Sequence, residues 1–270
     1  MHMFKVATLY KFVPLDNLIA LQQKLQSICQ ALTGTLLIAS EGINGTIAGL
    51  PDLLDKAMAE IEAMPSFDNL WYQYSQATHK PFGRLKIRIK KEIITMHQPK
   101  PLSMSLRGRH VVAADWNNRL DQAAVVIDVR NNYEYRLGSF KGAINPETTY
   151  FSQFPSFVET HLKPYKDQPI AMFCTGGIRC EKASAYMLAN GFKEIYQLSG
   201  GILQYLAHTA EDASRWQGEC FVFDERISLG HGLKKGSALL CYGCRMPLKK
   251  EDLDDDYKPG LRCKFCSKDK

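Results

Sequence analysis

Cys174, Thr175, Gly176, Gly177, Ile178, Arg179 and Cys180 bring a thiol, a pair of glycines, a guanidinium and a second thiol into consecutive positions. Backbone amides of a glycine-containing turn converge on one point, the amino end of a helix adds partial positive charge there, and Arg179 adds a cation. A thiol at that focus is expected to give up its proton easily. The thiolate is the form that attacks an electrophile, carries a second sulfur or is oxidised. Cys174 and Arg179 are therefore the candidate catalytic residues, with Thr175, Gly176, Gly177, Ile178 and Cys180 completing an active-site loop. The competing reading, a small core cysteine, leaves the glycine pair and the arginine without a purpose. Cys180 stays open between a resolving partner for Cys174 and a packed residue at the start of a helix.

Two further groups of residues carry chemistry. Cys241-x-x-Cys244 and Cys263-x-x-Cys266 have the spacing of paired knuckles that close four thiolates around one structural zinc. Four sulfurs leave no open coordination position, so such a metal would staple a short tail and take no part in catalysis. Free thiols or disulfides are the alternative. Lys86, Arg88 and Lys90 alternate with Leu85, Ile87 and Ile89, so a strand here has one cationic face. That face either contacts an RNA phosphate backbone, with Tyr72, Tyr74 and His79 as neighbouring stacking groups, or is simply solvated.

The elements that must position these groups follow from periodicity and breakers. An apolar strand over 170–173 runs into the loop and a helical pattern leaves it, so Cys174 is expected at the carboxyl end of a strand. Strands alternating with helices over 115–215 (125–129, 150–162, 170–173, 194–198, 202–208) imply a parallel sheet covered on both sides. Upstream, residues 1–95 read as a strand over 4–13, a helix from Asp16 to about Leu32 ended by Gly34, and a strand over 35–39. A tight turn at Glu41-Gly42-Ile43-Asn44-Gly45, a strand over 46–48, a helix over 51–64 and strands over 71–74 and 85–89 follow. That order, β-α-β-β-α-β with an extra strand, is ferredoxin-like. The breaker-rich 96–114, with His97-Gln98-Pro99-Lys100-Pro101, reads as a linker, and 216–270 as a cysteine-rich terminal segment whose run from Glu251 to Asp256 is acidic and solvated.

At 270 residues and 45% hydrophobic content the chain can build two or three real cores. It opens without a secretory apolar core and has no apolar run of membrane-spanning length, so a soluble, cytoplasmic protein with no membrane partner is expected. Eight cysteines in that compartment point to reactive thiols and metal ligands, not a disulfide framework. A formal charge of +6 is too mild to identify a nucleic-acid binder by itself.

Order and spacing become specific when the second domain is read whole. Asp128-Val129-Arg130, Glu134, Gly138, Gly142-Ala143-Ile144-Asn145, the loop from Cys174 to Arg179, Gly191-Phe192 and Leu198-x-Gly200-Gly201 resemble a rhodanese domain. Thr175 stands where many thiosulfate sulfurtransferases have arginine, and Ser139 where rhodaneses often have histidine. The loop is also shorter than in the phosphatase relatives. With Glu41-Gly42-Ile43-Asn44-Gly45-Thr46, Cys220-Phe221-Val222-Phe223-Asp224 and the cysteine knuckles, nearly the whole chain resembles the rhodanese-related tRNA uridine hydroxylases. The resemblance implies an acylphosphatase-like first domain and a rhodanese α/β second domain. It also implies oxygen-dependent conversion of the tRNA wobble uridine to 5-hydroxyuridine, with Cys174 essential and Asp128 and Arg130 in support. Molecular oxygen is then the co-substrate, the electron donor is unidentified, and the anticodon loop of tRNA is the partner, with the oligomeric state left open. The runner-up is a sulfurtransferase passing a Cys174 persulfide to tRNA or a protein; a non-catalytic RNA-binding or sulfur-sensing module is a third class.

Overall fold

The computed structural model describes residues 3–98, 102–103, 105–254, 257–259 and 261–266. Pro99, Lys100 and Pro101 of the breaker-rich segment, and Asp255 and Asp256 of the acidic run, lie outside the described residues.

The amino-terminal domain contains β1 (Phe4–Phe12), α1 (Leu18–Ile28), β2 (Thr33–Ala39), β3 (Gly42–Gly49), α2 (Pro51–Glu62), β4 (Trp71–Ala77) and β5 (Leu85–Ile89). Its sheet is ordered β4-β1-β3-β2-β5, with β5 parallel to β2 and the other pairs antiparallel. Because strand side chains alternate, Leu9, Leu36, Ile38, Ile43, Ile47 and Ile87 share one face and pack with Leu25, Leu54 and Ile61 of the two helices. The other face carries Thr8, Tyr10, Thr35, Leu37, Asn44 and Thr46 and looks into a cleft. This is the ferredoxin-like order with its extra strand.

Three local expectations are corrected. Asn17, not Asp16, caps α1, its side chain accepting the Ala20 N–H at 3.3 Å. The helix ends at Ile28 because the chain must reverse before Thr33 enters the sheet, and Gly34 lies inside β2. The hairpin turns at Ser40-Glu41, so Ile43, Asn44 and Gly45 are strand residues. Gly45 serves close strand approach: a Cβ there would lie 2.0 Å from the Thr35 carbonyl oxygen.

The second domain contains β6 (Arg109–Val111), α3 (Ala113–Gln122), β7 (Val125–Asp128), α4 (Asn132–Leu137), β8 (Gly138–Phe140), α5 (Phe154–Phe157), β9 (Pro169–Phe173), α6 (Ile178–Ala189), β10 (Glu194–Leu198) and α7 (Gly201–His208). Its sheet, ordered β6-β10-β9-β7, is parallel throughout. Ile127, Ile170 and Met172 pack with Cys180, Ala183 and Met187 on one side, while Ala171, Phe173 and Leu198 pack with Trp116 and Ile202 on the other. β6 lies within the stretch read as linker and forms the sheet's edge. The stretch read as one helix over 150–162 passes through successive 3-10, α and π turns.

Beyond α7, β11 (Trp216–Gly218) pairs with β8, β12 (Cys220–Phe221) pairs with β13 (Ser228–Leu229), and β14 (Leu239–Leu240) with β15 (Pro247–Leu248) forms a tail hairpin. Asp252 in the acidic run is buried, meeting Lys264 at 2.8 Å and Arg136 at 3.6 Å, so that residue docks the tail and is not part of a solvated surface.

The two large domains are pinned across the cleft. The buried Lys182 ammonium sits 2.9 Å from Glu41 and 2.6 Å from Glu92 and donates to the Ile94 carbonyl at 2.8 Å. Tyr10 donates to Glu181 at 3.3 Å. Glu41 and Lys182, from motifs far apart in the chain, therefore hold each other.

Candidate active site

β9 ends at Phe173 and α6 begins at Ile178, which leaves Cys174 to Gly177 as the turn. Gly177 has φ 100°, a conformation that favours glycine, and its N–H donates to Cys174 Sγ at 3.2 Å. Burial pushes the Cys174 thiol up, but a hydrogen bond from the Cys180 thiol, the Arg179 charge and the Cys180 and Arg179 backbone N–H groups outweigh it, bringing it down to about 6. Burial pushes the Cys180 thiol well above its ordinary range, and its bond to Cys174 and that residue's charge push the same way. Cys180 is packed in the core in the first turn of α6, and from there its thiol donates to Cys174.

Arg179 does not aim its guanidinium at the sulfur. Its two terminal nitrogens bind the Glu134 carboxylate at 2.6 and 2.8 Å, and one of them also reaches Thr175 Oγ1 at 3.3 Å. The Glu134 carboxyl, pushed up by burial, is held below its usual range by the charge and hydrogen bonds of Arg179. Glu134 itself is placed by α4, where its side chain accepts the Asn131 N–H at 3.1 Å. Thr175, the departure from the thiosulfate sulfurtransferases, is thereby a partner of this buried pair.

Asp128 and Arg130 clasp each other at the end of β7. Arg130 Nε and Nη2 donate to the two Asp128 oxygens at 2.8 and 2.6 Å, both residues are wholly buried, and Ser139 donates to Asp128 at 2.8 Å. The same clasp recurs in Asp224-x-Arg226, with Nε and Nη2 at 2.8 and 2.6 Å from Asp224. There Nη1 reaches across to Ser75 Oγ at 2.7 Å and the Gln76 carbonyl at 3.2 Å on β4.

A cleft of about 920 Å³ lies between the uncovered sheet face of the first domain and this loop, with Cys174, Thr175, Gly176, Ile178 and Arg179 along its floor. Cys174 is nevertheless 0% exposed. Tyr10 stands over the loop: a Cβ on Gly177 would lie 2.9 Å from its hydroxyl. Burial and the charges of Glu181, Cys174 and Cys180 push the Tyr10 hydroxyl well above its usual range, so it keeps its proton beside the thiolate. A base reaching the sulfur must move what covers it.

The cationic strand borders this cleft. Register pairs Lys86 with Thr35 and Arg88 with Leu37, placing both on the cleft face, and Lys90 and Lys91 line the cleft. Tyr72 and Tyr74 do not face it: they pair with Leu9 and Ala7 and pack on the helix-side core. His79 is exposed and hydrogen-bonded to Thr78. The cleft's aromatic residues are instead Tyr10, Phe82, Tyr150, Phe151 and Phe223. Tyr10 stands in the sequence as one strand residue and Phe223 as part of a motif; sheet register puts Tyr10 on the cleft face, whereas Phe223 lies beyond β12 beside the Asp224–Arg226 clasp that reaches β4.

At the tail, Cys241, Cys244, Cys263 and Cys266 bring their sulfurs within 4.8 Å of one another, a group fit to hold a metal ion. Cys241 to Cys266 is 3.6 Å and Cys244 to Cys263 is 3.7 Å. A tetrahedron with zinc–sulfur bonds of about 2.3 Å has sulfur–sulfur edges of about 3.8 Å, so the donor set fits zinc. Among the described residues, no helix is long and apolar enough to cross a membrane.

Residues 4–93 match the UPF0176 acylphosphatase like domain and residues 112–208 the rhodanese-like domain. The tRNA uridine(34) hydroxylase of Teredinibacter turnerae is 48% identical over 267 residues, covering 97% of this chain and 83% of the relative. That of Roseobacter denitrificans is 46% identical, covering 98% and 90%, and that of Brucella anthropi 44%, covering 97% and 88%. With both domains matched and such identity along nearly its whole length, the chain belongs to the tRNA uridine(34) hydroxylase family.

Proposed function

We propose that this enzyme hydroxylates C5 of the wobble uridine in tRNA, using dioxygen and the Cys174 thiolate. The observation that carries the reading is a loop cysteine whose Sγ accepts the Gly177 N–H at 3.2 Å on the floor of a cleft bordered by a cationic strand, an environment that lowers its thiol to about 6. The sulfur adds to C6 of the uracil ring and makes C5 an enolate carbon. C5 captures dioxygen and a proton as a hydroperoxide. An external two-electron reductant, with two protons, converts this to the alcohol and water. Loss of the C5 proton and expulsion of the sulfur restore the ring double bond. The sum consumes uridine, dioxygen, two electrons and two protons and yields 5-hydroxyuridine and water.

Gly177, Arg179 and Cys180 hold the sulfur through backbone N–H groups, and Cys180 through its thiol. Arg179 acts through its charge and its backbone, with the guanidinium committed to Glu134. Asp128 and Arg130 are positioning residues. The uridine must leave its stack to reach the sulfur, which is easier in the anticodon loop than in a duplex, so that loop is the part of tRNA engaged. The four tail cysteines hold a structural zinc, the domains divide between β5 and β6, and the enzyme works in the cytoplasm.

Mass spectrometry of tRNA nucleosides tests the assignment in cells lacking the gene and complemented with wild type or Cys174→Ala. 5-Hydroxyuridine is expected only with wild type. Exchange of oxygen for sulfur, or full hydroxylation by Cys174→Ser, overturns it.

A further inference from the structure

We propose that Phe223 and Tyr150 form a stacking subsite on the cleft for the unpaired nucleobases flanking the target uridine; this rests on the tRNA substrate assigned above. Phe223 is 62% exposed and Tyr150 67% exposed, and both line the cleft that ends at Cys174. Isolated exposed aromatic residues are ordinary on protein surfaces. These two differ in being fixed where the substrate must pass.

The backbone around Phe223 is pinned to the first domain. Arg226 clasps Asp224 and reaches Ser75 at 2.7 Å, while the Glu225 N–H donates to the Pro81 carbonyl at 3.0 Å. The Phe223 ring rests edge-on against Phe221 with centroids 5.1 Å apart. Tyr150 is held from the other domain, its N–H and that of Thr149 donating to Gln153 Oε1 at 3.1 and 2.7 Å. An aromatic side chain has few rotatable bonds, so on an anchored backbone it loses little freedom on binding and its apolar face is available at low entropic cost.

The occupant follows from the neighbours. Lys90 and Lys91 line the same cleft, and Lys86 and Arg88 continue the charge along β5. Aromatic faces beside a cationic track suit single-stranded nucleic acid, whose bases stack while its phosphates pair with the charge. Extruding one uridine also unstacks its two neighbours, which then need new faces to cover them. Tyr72 and Tyr74 cannot serve, since they pack beneath the opposite face of the sheet.

The test measures binding of an anticodon stem-loop RNA, and of the same stem closed without the loop, to the full chain. Phe223→Ala and Phe223→Leu should each weaken stem-loop binding about ten- to hundredfold, the loss expected for one base stack. Phe223→Trp and Tyr150→Phe should bind within about threefold of wild type, and Tyr150→Ala should weaken as Phe223→Ala does. None should change binding to the closed stem. Wild-type affinity in Phe223→Leu, or equal losses on both RNAs, overturns the subsite. Photocrosslinking of the unmutated protein to stem-loops carrying 5-iodouridine beside the target needs no variant to fold. Adducts should fall on Phe223 or Tyr150, and adducts confined to other residues overturn the proposal. Nucleoside analysis of the wild-type reaction separates the two levels: unmodified uridine refutes the assigned reaction, whereas normal hydroxylation with unchanged Phe223→Ala binding refutes the subsite alone.

Discussion

Arg179 and Glu134 form a buried two-point pair, with guanidinium nitrogens 2.6 and 2.8 Å from the two carboxylate oxygens. Cys174 therefore meets a cation that is already paired, and what lowers its thiol is first the hydrogen bond from Cys180, then the Arg179 charge, then the Cys180 and Arg179 backbone N–H groups. Glu134, on α4, bears on the thiol only through the guanidinium that it holds.

Replacing either member of that pair should move Cys174 in opposite directions. Arg179→Met removes the charge and one buried ion's partner, so the thiol should rise towards the ordinary cysteine range. Glu134→Gln leaves Arg179 uncompensated, so the thiol should fall below about 6. Thiolate absorbance against pH, with Cys174→Ser subtracted, reads both. Each variant should also lose about 3–5 kcal/mol of stability in denaturant unfolding, because a buried charge is left alone.

Hydroxylation should rise with pH through about 6 as Cys174 ionises. The stability linkage has the sign of a depressed acid. The folded thiol titrates below its unfolded counterpart, so its contribution is complete above the unfolded value, shrinks as pH falls between the two, and is gone below about 6. Unfolding midpoints of wild type and Cys174→Ser should therefore differ more at pH 8 than at pH 5. A constant difference would show that the sulfur is not ionised in the fold.

Charge on β5 should act through phosphates without regard to sequence. Replacing Lys86, Arg88 and Lys90 together by alanine should weaken tRNA binding and reduce the slope of log affinity against log salt by about 2, at about 0.7 for each lost single-strand contact. Circular dichroism should be unchanged, since Arg88 and Lys90 are exposed. An unchanged slope would place the RNA elsewhere.

The tail should carry one zinc per chain and depend on it. Chelation, or Cys244→Ser, should release the metal and raise amide exchange around Cys241 and Cys263 while β9 and α6 stay protected. The Asp252 pairing to Arg136 and Lys264 should loosen with it. Full metal content in Cys244→Ser would show that this sulfur is not a ligand.

Much of the architecture is local and so was legible in the residues alone. Alternation marks β5 as Leu85–Ile89, the strand–loop–helix pattern puts Cys174 at the end of β9, and the cysteine spacing announces a four-sulfur cluster. Each depends on residue type and spacing along the chain. What tertiary structure alone decided is which face meets which. Tyr72 and Tyr74 share a parity that any strand would show, but only pairing with Leu9 and Ala7 sends them under the helices and leaves Lys86 and Arg88 on the cleft side. Arg179 looks like a free cation until α4 brings Glu134 to it, and Phe223 is one position of a motif until Arg226 crosses to Ser75. A side chain's type and its periodicity are properties of the chain, whereas its partners are set by register and docking between segments far apart in sequence.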